Sequence, residues 1–263
     1  HLGEITSDEI HFVAQQFKRM IPICEEVSGV SFDLDRFKEV LRLSAEATRL
    51  WQEVLKTAKA SPPPISFFDG TIHMGPIVVL RGTPQAKTYY EKLLQELQGY
   101  IKEGVGILPK EEVRLFWDGM PIWGKLRALS ELFLQNRAAV VASTYCNSWI
   151  FEDFDESKPF ESSALAYTQI FINRDEATKV NMLKAWCEEY RIDGVIFHDA
   201  KTCFNNSNTR FGLPQRFQEE TGLPTLVIEG DLCDLRFYSE GQTITKVETF
   251  IEQLEQHRAM ADI

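Results

Sequence analysis

The pattern of apolar and polar residues divides the chain into a helical first part and an alternating second part. Apolar residues recur at helical spacing from Ile10 to Ser28, from Asp33 to about Ala58, and from Pro84 to about Lys102. Asp33 is suited to cap the second of these helices, and the three prolines at 62–64 end it because proline lacks an amide proton. The first hundred residues are therefore predicted to be mainly helical.

Two segments interrupt this helical part. The segment SFFDGTIHMGPIVVLRGT, at 66–83, is rich in aromatic residues and glycine, and its pattern favours neither a strand nor a helix. The segment from Gly104 to Glu111 is predicted to be a loop. We therefore expect two parts, a mainly helical segment at 1–108, which packs on or links to a further lobe, and an α/β domain at 109–263.

From Val113 onward, short apolar runs alternate with helical patterns. The runs are Val113 to Trp117, Ala139 to Tyr145, Gly194 to Phe197 and Thr225 to Ile228, and the helical patterns cover about 122–136, 176–190, 209–221 and 242–257. Such alternation is typical of parallel strands covered by helices. We predict an α/β fold, in which a four-stranded parallel flavodoxin-like or Rossmann-like sheet with helices on both faces follows the mainly helical segment.

Composition narrows the class of protein. The 263 residues are 44% hydrophobic and 25% charged, which is typical of a soluble globular protein, and no apolar run is long enough to cross a membrane. The net charge of −11 and the pI near 5.0 argue against a general nucleic-acid surface, because phosphate binding needs basic residues. The start, HLGEITSDEIHF, lacks the marks of a signal peptide and is not a methionine, so we expect further chain upstream.

The cysteines indicate a reducing compartment. Five cysteines, an odd number spread through an acidic chain, do not form the pattern of a disulfide framework, so we expect a cytoplasmic protein with free thiols. Cys24 and Cys187 have apolar helical neighbours and are expected in the core.

The other three cysteines follow predicted strands. Cys146, Cys203 and Cys233 stand after the second, third and fourth strands, at the edge where open parallel sheets bind ligands. Together they could hold zinc or part of an iron-sulfur cluster, or each could be a small apolar residue at a strand end. Cys203 lies beside Lys201 and before a helix, and both features favour the thiolate.

Other motifs of common enzymes are missing. The glycines form no GxGxxG after a strand, and neither GxxxxGK[ST] nor GxSxG occurs, so dinucleotide binding, ATP binding in a P-loop and serine hydrolysis lack support. His198, at the end of the third strand, is either a proton shuttle or a hydrogen-bonded structural residue.

Several runs, in this order, carry a resemblance to a known family. They are GVSFDLDRFKEVLRLSAEA, FFDGTIHMGPIVVLRGT, FWDGMPIW, LRALSELF, VVASTYCNSW, HDAKTCFNNSN, GLPTLVIEGDLCD and VETFIEQLE. Together they resemble the benzoyl-CoA reductase and 2-hydroxyacyl-CoA dehydratase family, in its cluster-carrying catalytic subunits of the D-component type. The resemblance covers about residues 10 to 256.

The resemblance implies an oxygen-sensitive radical enzyme acting on a CoA thioester. It implies one 4Fe-4S cluster per subunit, a related second subunit, and an ATP-hydrolysing iron-sulfur activator that donates a low-potential electron. Reduction of an aromatic ring and dehydration of a 2-hydroxyacyl group both remain open. In the family, two of the three cluster cysteines lie in a lobe that precedes the region resembled here.

The implied site lies at the carboxyl edge of the sheet. Cys203 matches a cluster ligand of the family, while Cys146 and Cys233 are further candidate metal ligands. The candidate catalytic residues are His198 and Asp118, and the candidate substrate-binding residues are Trp123, Ser143, Asn147, Lys201 and Arg210. The alternative is a partner half without its own cluster, which shapes a CoA site or a heterodimer interface.

Overall fold

The computed structural model describes residues 3–203 and 212–261. Helices account for most of this part of the chain. They are α1 (Ser7–Ser28), α2 (Leu34–Lys56), α3 (Phe67–His73), α4 (Gly75–Val79), α5 (Pro84–Glu103), α6 (Leu126–Gln135), α7 (Thr144–Asn147), α8 (Pro159–Thr168), α9 (Glu176–Tyr190), α10 (Leu213–Thr221) and α11 (Glu240–Ala261).

The described strands form one parallel sheet. They are β1 (Val113–Asp118), β2 (Ala138–Ser143), β3 (Gly194–Ala200) and β4 (Thr225–Gly230), and their spatial order is β2-β1-β3-β4. Strand β2 thus lies on one side of β1, while β3 and β4 lie on the other, which is the flavodoxin-like strand order. Helices α6 and α9 contact β2, α10 and α11 contact β4, and α9 and α10 contact each other. The predicted α/β fold is confirmed.

The strands form where the apolar runs predicted them, because parallel strands are buried on both faces. Every residue of β1 and β2 is buried. The predicted second strand, however, extended to Tyr145, whereas β2 ends at Ser143. The Ser143 hydroxyl accepts a hydrogen bond from the Cys146 amide at 3.1 Å, and this cap starts α7 at Thr144.

Local capping explains the helices of the first part. Thr6 and Glu9 form a reciprocal capping box at the start of α1, and Ser66 and Asp69 form another at the start of α3. Most of the segment at 66–83, which the sequence pattern left open, is therefore helical, as α3 and α4. The pattern also missed α8, which packs against α1.

One hydrophobic core runs through the helical part and the sheet. The Phe67 ring of α3 stacks on the Trp117 ring of β1, with 5.3 Å between centroids, and Trp51 of α2 is buried against Tyr90 of α5. Arg114 of β1 also reaches across, donating to the carbonyl oxygen of Ala58 at 2.7 Å. The core thus extends over both sides of the predicted boundary near residue 108.

Helix α1 leaves much of its apolar surface exposed. Phe12 and Met20 are exposed, and so is Cys24, so the prediction that Cys24 lies in the core is wrong. Cys187 of α9 is buried, as predicted. Among the described residues, no helix combines the length and apolar character that a membrane span requires.

Candidate functional site

The segment after β1 folds over the carboxyl end of β3. The carbonyl oxygen of Met120 accepts two hydrogen bonds, from Trp117 Nε1 at 3.1 Å and from His198 Nδ1 at 2.6 Å. The amide of Trp123 then donates to the carbonyl oxygen of Leu232, after β4, at 2.9 Å. This segment therefore covers the position between β1 and β3. This position is the topological switch point of the sheet, because β2 lies on one side of β1 and the later strands lie on the other.

His198 lies buried beneath that segment. Since a carbonyl oxygen can only accept, Nδ1 carries a proton, and in the neutral imidazole Nε2 is then the nitrogen with the lone pair. Within the described residues Nε2 has no hydrogen-bond partner, and a Cβ added at Gly230 would lie 3.0 Å from it. Burial lowers the pKa of His198, which favours the neutral imidazole. A role for His198 as proton shuttle stays a prediction.

Asp118 is buried at the end of β1, near a lysine that the sequence reasoning missed. The charge of Asp118 acts on Lys179 of α9, which is also buried. Burial lowers the pKa of Lys179, and Asp118 opposes that shift. Lys179 is spaced four residues from Leu183 on the buried face of α9, and a lysine at an apolar position was the signal available in the sequence.

Asp231 ties the loop after β3 to the loop after β4. Its Oδ2 accepts hydrogen bonds from the Thr202 amide at 2.9 Å and the Thr202 hydroxyl at 2.8 Å, and its carboxylate also accepts from the amides of Cys233 and Asp234. Burial raises the pKa of Asp231, but these hydrogen bonds outweigh burial and lower it. The backbones that carry Cys203 and Cys233 are thus held through one carboxylate.

The three candidate metal-ligating cysteines have different environments. Cys203 is half-buried and Cys233 is exposed, whereas Cys146 is buried and burial raises the pKa of its thiol to about 12. A Cβ added at Gly70 of α3 would lie 3.2 Å from Cys146 Sγ, so this thiol packs into the core. Across 3–203 and 212–261, no three His, Cys, Asp or Glu side chains are grouped to hold a metal ion. In the part of the chain that the structure describes, the three cysteines are therefore not gathered at one point, and their role as metal ligands stays a prediction.

The candidate substrate-binding residues are also dispersed. Ser143 is a buried helix cap, while Asn147 lines a cavity of about 360 Å³ between the loop after α7 and α9. Lys201 Nζ lies 2.7 Å from Asp199 Oδ2 and 3.6 Å from Glu229 Oε1, and the hydrogen bond to Asp199 raises its pKa. Trp123 is exposed at the carboxyl edge. Arg210 lies outside the described residues.

Comparison with known proteins decides the family. The sequence profile of the family described as "2-hydroxyglutaryl-CoA dehydratase, D-component" matches residues 3–254. The chain belongs to this family. The match covers all four strands and the described loops at their carboxyl ends.

Individual relatives agree with this assignment. A benzoyl-CoA reductase subunit of Thauera aromatica is 33% identical over 99% of this chain and 63% of its own length. The alpha subunit of (R)-2-hydroxyisocaproyl-CoA dehydratase of Clostridioides difficile is 29% identical over 98% of this chain and 63% of its own. The alpha subunit of (R)-2-hydroxyglutaryl-CoA dehydratase of Acidaminococcus fermentans is 26% identical over 95% and 52%. The chain thus spans 52–63% of the length of these relatives.

The described residues do not bring together the donor set that a 4Fe-4S cluster requires. Such clusters are usually held by four thiolates, and even three are not gathered among the described residues. Cys203 and Cys233 are the thiols of the carboxyl edge that are not fully buried. The described residues therefore do not fit a complete cluster, although the half-buried Cys203 is accessible enough to act as one ligand.

Proposed function

We propose that this chain forms the sheet-bearing part of an enzyme component that acts on CoA thioesters. The reaction class is reduction of a benzoyl-CoA-type ring or dehydration of a 2-hydroxyacyl-CoA. The family match over residues 3–254 carries this proposal, because it includes the sheet and the described loops at its carboxyl edge. The relatives named above are all designated by a CoA thioester.

The carboxyl edge is the proposed substrate site. Trp123 and Asn147 are the proposed contacts for substrate, while Asp118 and His198 would act on it only after the segment above them moves, because both are buried. Lys201 is the proposed contact for an anionic group of CoA, and it would exchange part of its pairing with Asp199 for that contact. Arg210 is a further proposed contact.

A cluster in this component would take Cys203 as one ligand and its remaining ligands from beyond the described residues. Such a group supplies electrons at a potential set by ligation, burial and hydrogen bonds. The partners that go with this proposal are a related second subunit and an ATP-hydrolysing activator, in a reducing cytoplasm. The names of the relatives support a multi-subunit assembly, because each is designated a subunit.

The test is iron and labile-sulfide analysis of the native assembly, isolated under strict anaerobiosis, for the parent and two variants. Cys203→Ala should remove most of the cluster iron bound through this chain, because an alanine cannot ligate metal. Cys187→Ala is the matched control, since its thiol is buried in α9 and burial raises its pKa to about 12. Equal iron contents in the two variants would contradict the assignment of Cys203.

A second candidate is a non-catalytic half that shapes a CoA site or an interface with a second subunit. The lack of any three-ligand group in the described part of the chain favours it. It predicts CoA-thioester binding by an assembly in which this chain holds no iron. Stoichiometric iron that is lost with Cys203 would rule this candidate out.

A further inference from the structure

An apolar strip crosses the carboxyl edge of the sheet. It consists of Tyr145, Trp123 and Leu235, which come from the segments that follow β2, β1 and β4. The Trp123 and Tyr145 rings meet edge to face with 6.1 Å between centroids, and a Cβ added at Gly124 would lie 3.2 Å from Leu235 Cδ1. Three strand-end segments thus build one surface, the apolar strip.

The exposure of the apolar strip indicates a binding surface. Trp123 is 37% exposed and Leu235 is 40% exposed. Large apolar side chains that are exposed side by side mark binding surfaces, and in open parallel sheets ligands bind at this edge. Asp118 and His198 are buried, whereas Trp123 and Leu235 of the strip are open to solvent at the same edge.

The charges around the strip restrict what that molecule can carry. Lys125 Nζ lies 3.1 Å from Glu240 Oε2, Lys201 Nζ lies 2.7 Å from Asp199 Oδ2, and Arg236 pairs with Asp234 at 2.5 Å. In the described segments after β1, β3 and β4, each cation is therefore already offset by a carboxylate. Asp231 and Glu229 add further negative charge.

A ligand carboxylate on this surface would lose hydration and meet like charges. An unpaired anion is strongly disfavoured next to apolar walls. A neutral ring or branched alkyl group suits the surface, since aromatic side chains pack rings in offset and edge-to-face arrangements.

We propose that the apolar strip is the acyl wall of the substrate site, and that it selects CoA thioesters with a neutral, apolar acyl group over those whose acyl group bears a carboxylate. The proposal rests on the function proposed above and deepens it. It assigns selectivity to Trp123 and Leu235, and Leu235 was not a candidate functional residue from the sequence.

The experiment measures calorimetric binding of benzoyl-CoA, glutaryl-CoA and free CoA to the full chain. Benzoyl-CoA should bind at least about tenfold more tightly than glutaryl-CoA, because only the neutral ring gains contacts with the strip. In Trp123→Ala the affinity for benzoyl-CoA should fall at least about fivefold while that for free CoA stays unchanged. Leu235→Lys should raise the affinity for glutaryl-CoA, because it adds a cation without a partner.

Two comparisons keep the result interpretable. Phe12→Ala removes an exposed ring on α1, which is far in sequence from the segments at the carboxyl edge. This variant should bind benzoyl-CoA, glutaryl-CoA and free CoA with unchanged affinity. Circular dichroism of Trp123→Ala checks the fold, and Trp123→Phe should recover most of the benzoyl-CoA affinity if the ring is what matters.

The outcomes separate this proposal from the one on which it rests. If free CoA and both thioesters fail to bind, the proposed CoA function fails and this proposal falls with it. If CoA binds but glutaryl-CoA binds as tightly as benzoyl-CoA, only the acyl-wall proposal is overturned. Equal losses in Trp123→Ala and Phe12→Ala would also overturn it.

Discussion

Replacement of Arg114 by methionine should destabilise the whole protein, because this side chain joins three regions of the core. Its guanidinium donates to the carbonyl oxygens of Tyr190 at 3.0 Å, Ala60 at 3.2 Å and Ala58 at 2.7 Å. It also pairs with Glu111 at 2.8 Å, and the two side chains are only 7% and 5% exposed. The substitution therefore leaves one carboxylate and three carbonyl oxygens without their partner.

The size of the effect follows from that burial. Breaking a buried ion pair on one side lowers the free energy of unfolding by about 3–5 kcal/mol. Removing Glu111 as well should recover only part of this loss, because the three carbonyl oxygens stay unpaired at about 1–3 kcal/mol each where water cannot reach them. The control is the surface pair of Arg127 and Glu131, whose side chains are 93% and 53% exposed. Arg127→Met should lower the free energy of unfolding by less than about 1 kcal/mol.

Urea unfolding followed by both tryptophan fluorescence and far-ultraviolet circular dichroism provides the measurement. Coincident transitions with a lower midpoint in Arg114→Met are expected, since the core runs through the helical part and the sheet. A loss no larger than that of Arg127→Met would refute the reasoning. Two separate transitions in the parent protein would show instead that the two parts unfold independently.

Two further predictions concern the carboxyl edge. Asp231→Ala removes the acceptor that holds the Thr202 amide and hydroxyl, so alkylation of Cys203 should become several-fold faster, and an unchanged rate would contradict the bridging role. His198 has a lowered pKa in the folded protein, so the unfolded chain takes up its proton first as pH falls. The contribution of neutral His198 to the free energy of unfolding should be fully present above about pH 6.5 and decline below that pH. The difference in the free energy of unfolding between the parent and His198→Asn should therefore shrink as the pH falls below about 6.5. A difference independent of pH would contradict this.

Much of the fold was predictable because its signals are local. Continuous apolar runs locate buried parallel strands wherever β-branched and aromatic residues cluster, as in Val113–Asp118. The helical nature of 66–83 was also within reach, since Ser66 and Asp69 stand in the spacing of a capping box. Helix α8 gave no comparable signal, because its packing against α1 depends on residues far away in the sequence.

The sequence predicted which segments meet at the carboxyl edge, but not how deeply each candidate side chain is buried there. Parallel strands end at one edge, so the sequence predicted which segments meet there. The burial of each side chain depends on contacts between residues distant in sequence, such as the hydrogen bond between His198 and the Met120 carbonyl oxygen. In the same way, one turn of α7 decides that the Cys146 thiol faces α3, and no spacing of cysteines predicts that turn.

The double hydrogen bond to the Met120 carbonyl has a consequence for how the surface of the carboxyl edge could diverge. The segment after β1 is anchored through main-chain atoms, at the oxygen of Met120 and the amide of Trp123. Main-chain anchors persist when the side chains at these positions are exchanged, with proline at 123 the exception. Side chains at 120 and 123 can therefore be exchanged one at a time while these two hydrogen-bonded positions persist, so the surface of the carboxyl edge can change without refolding.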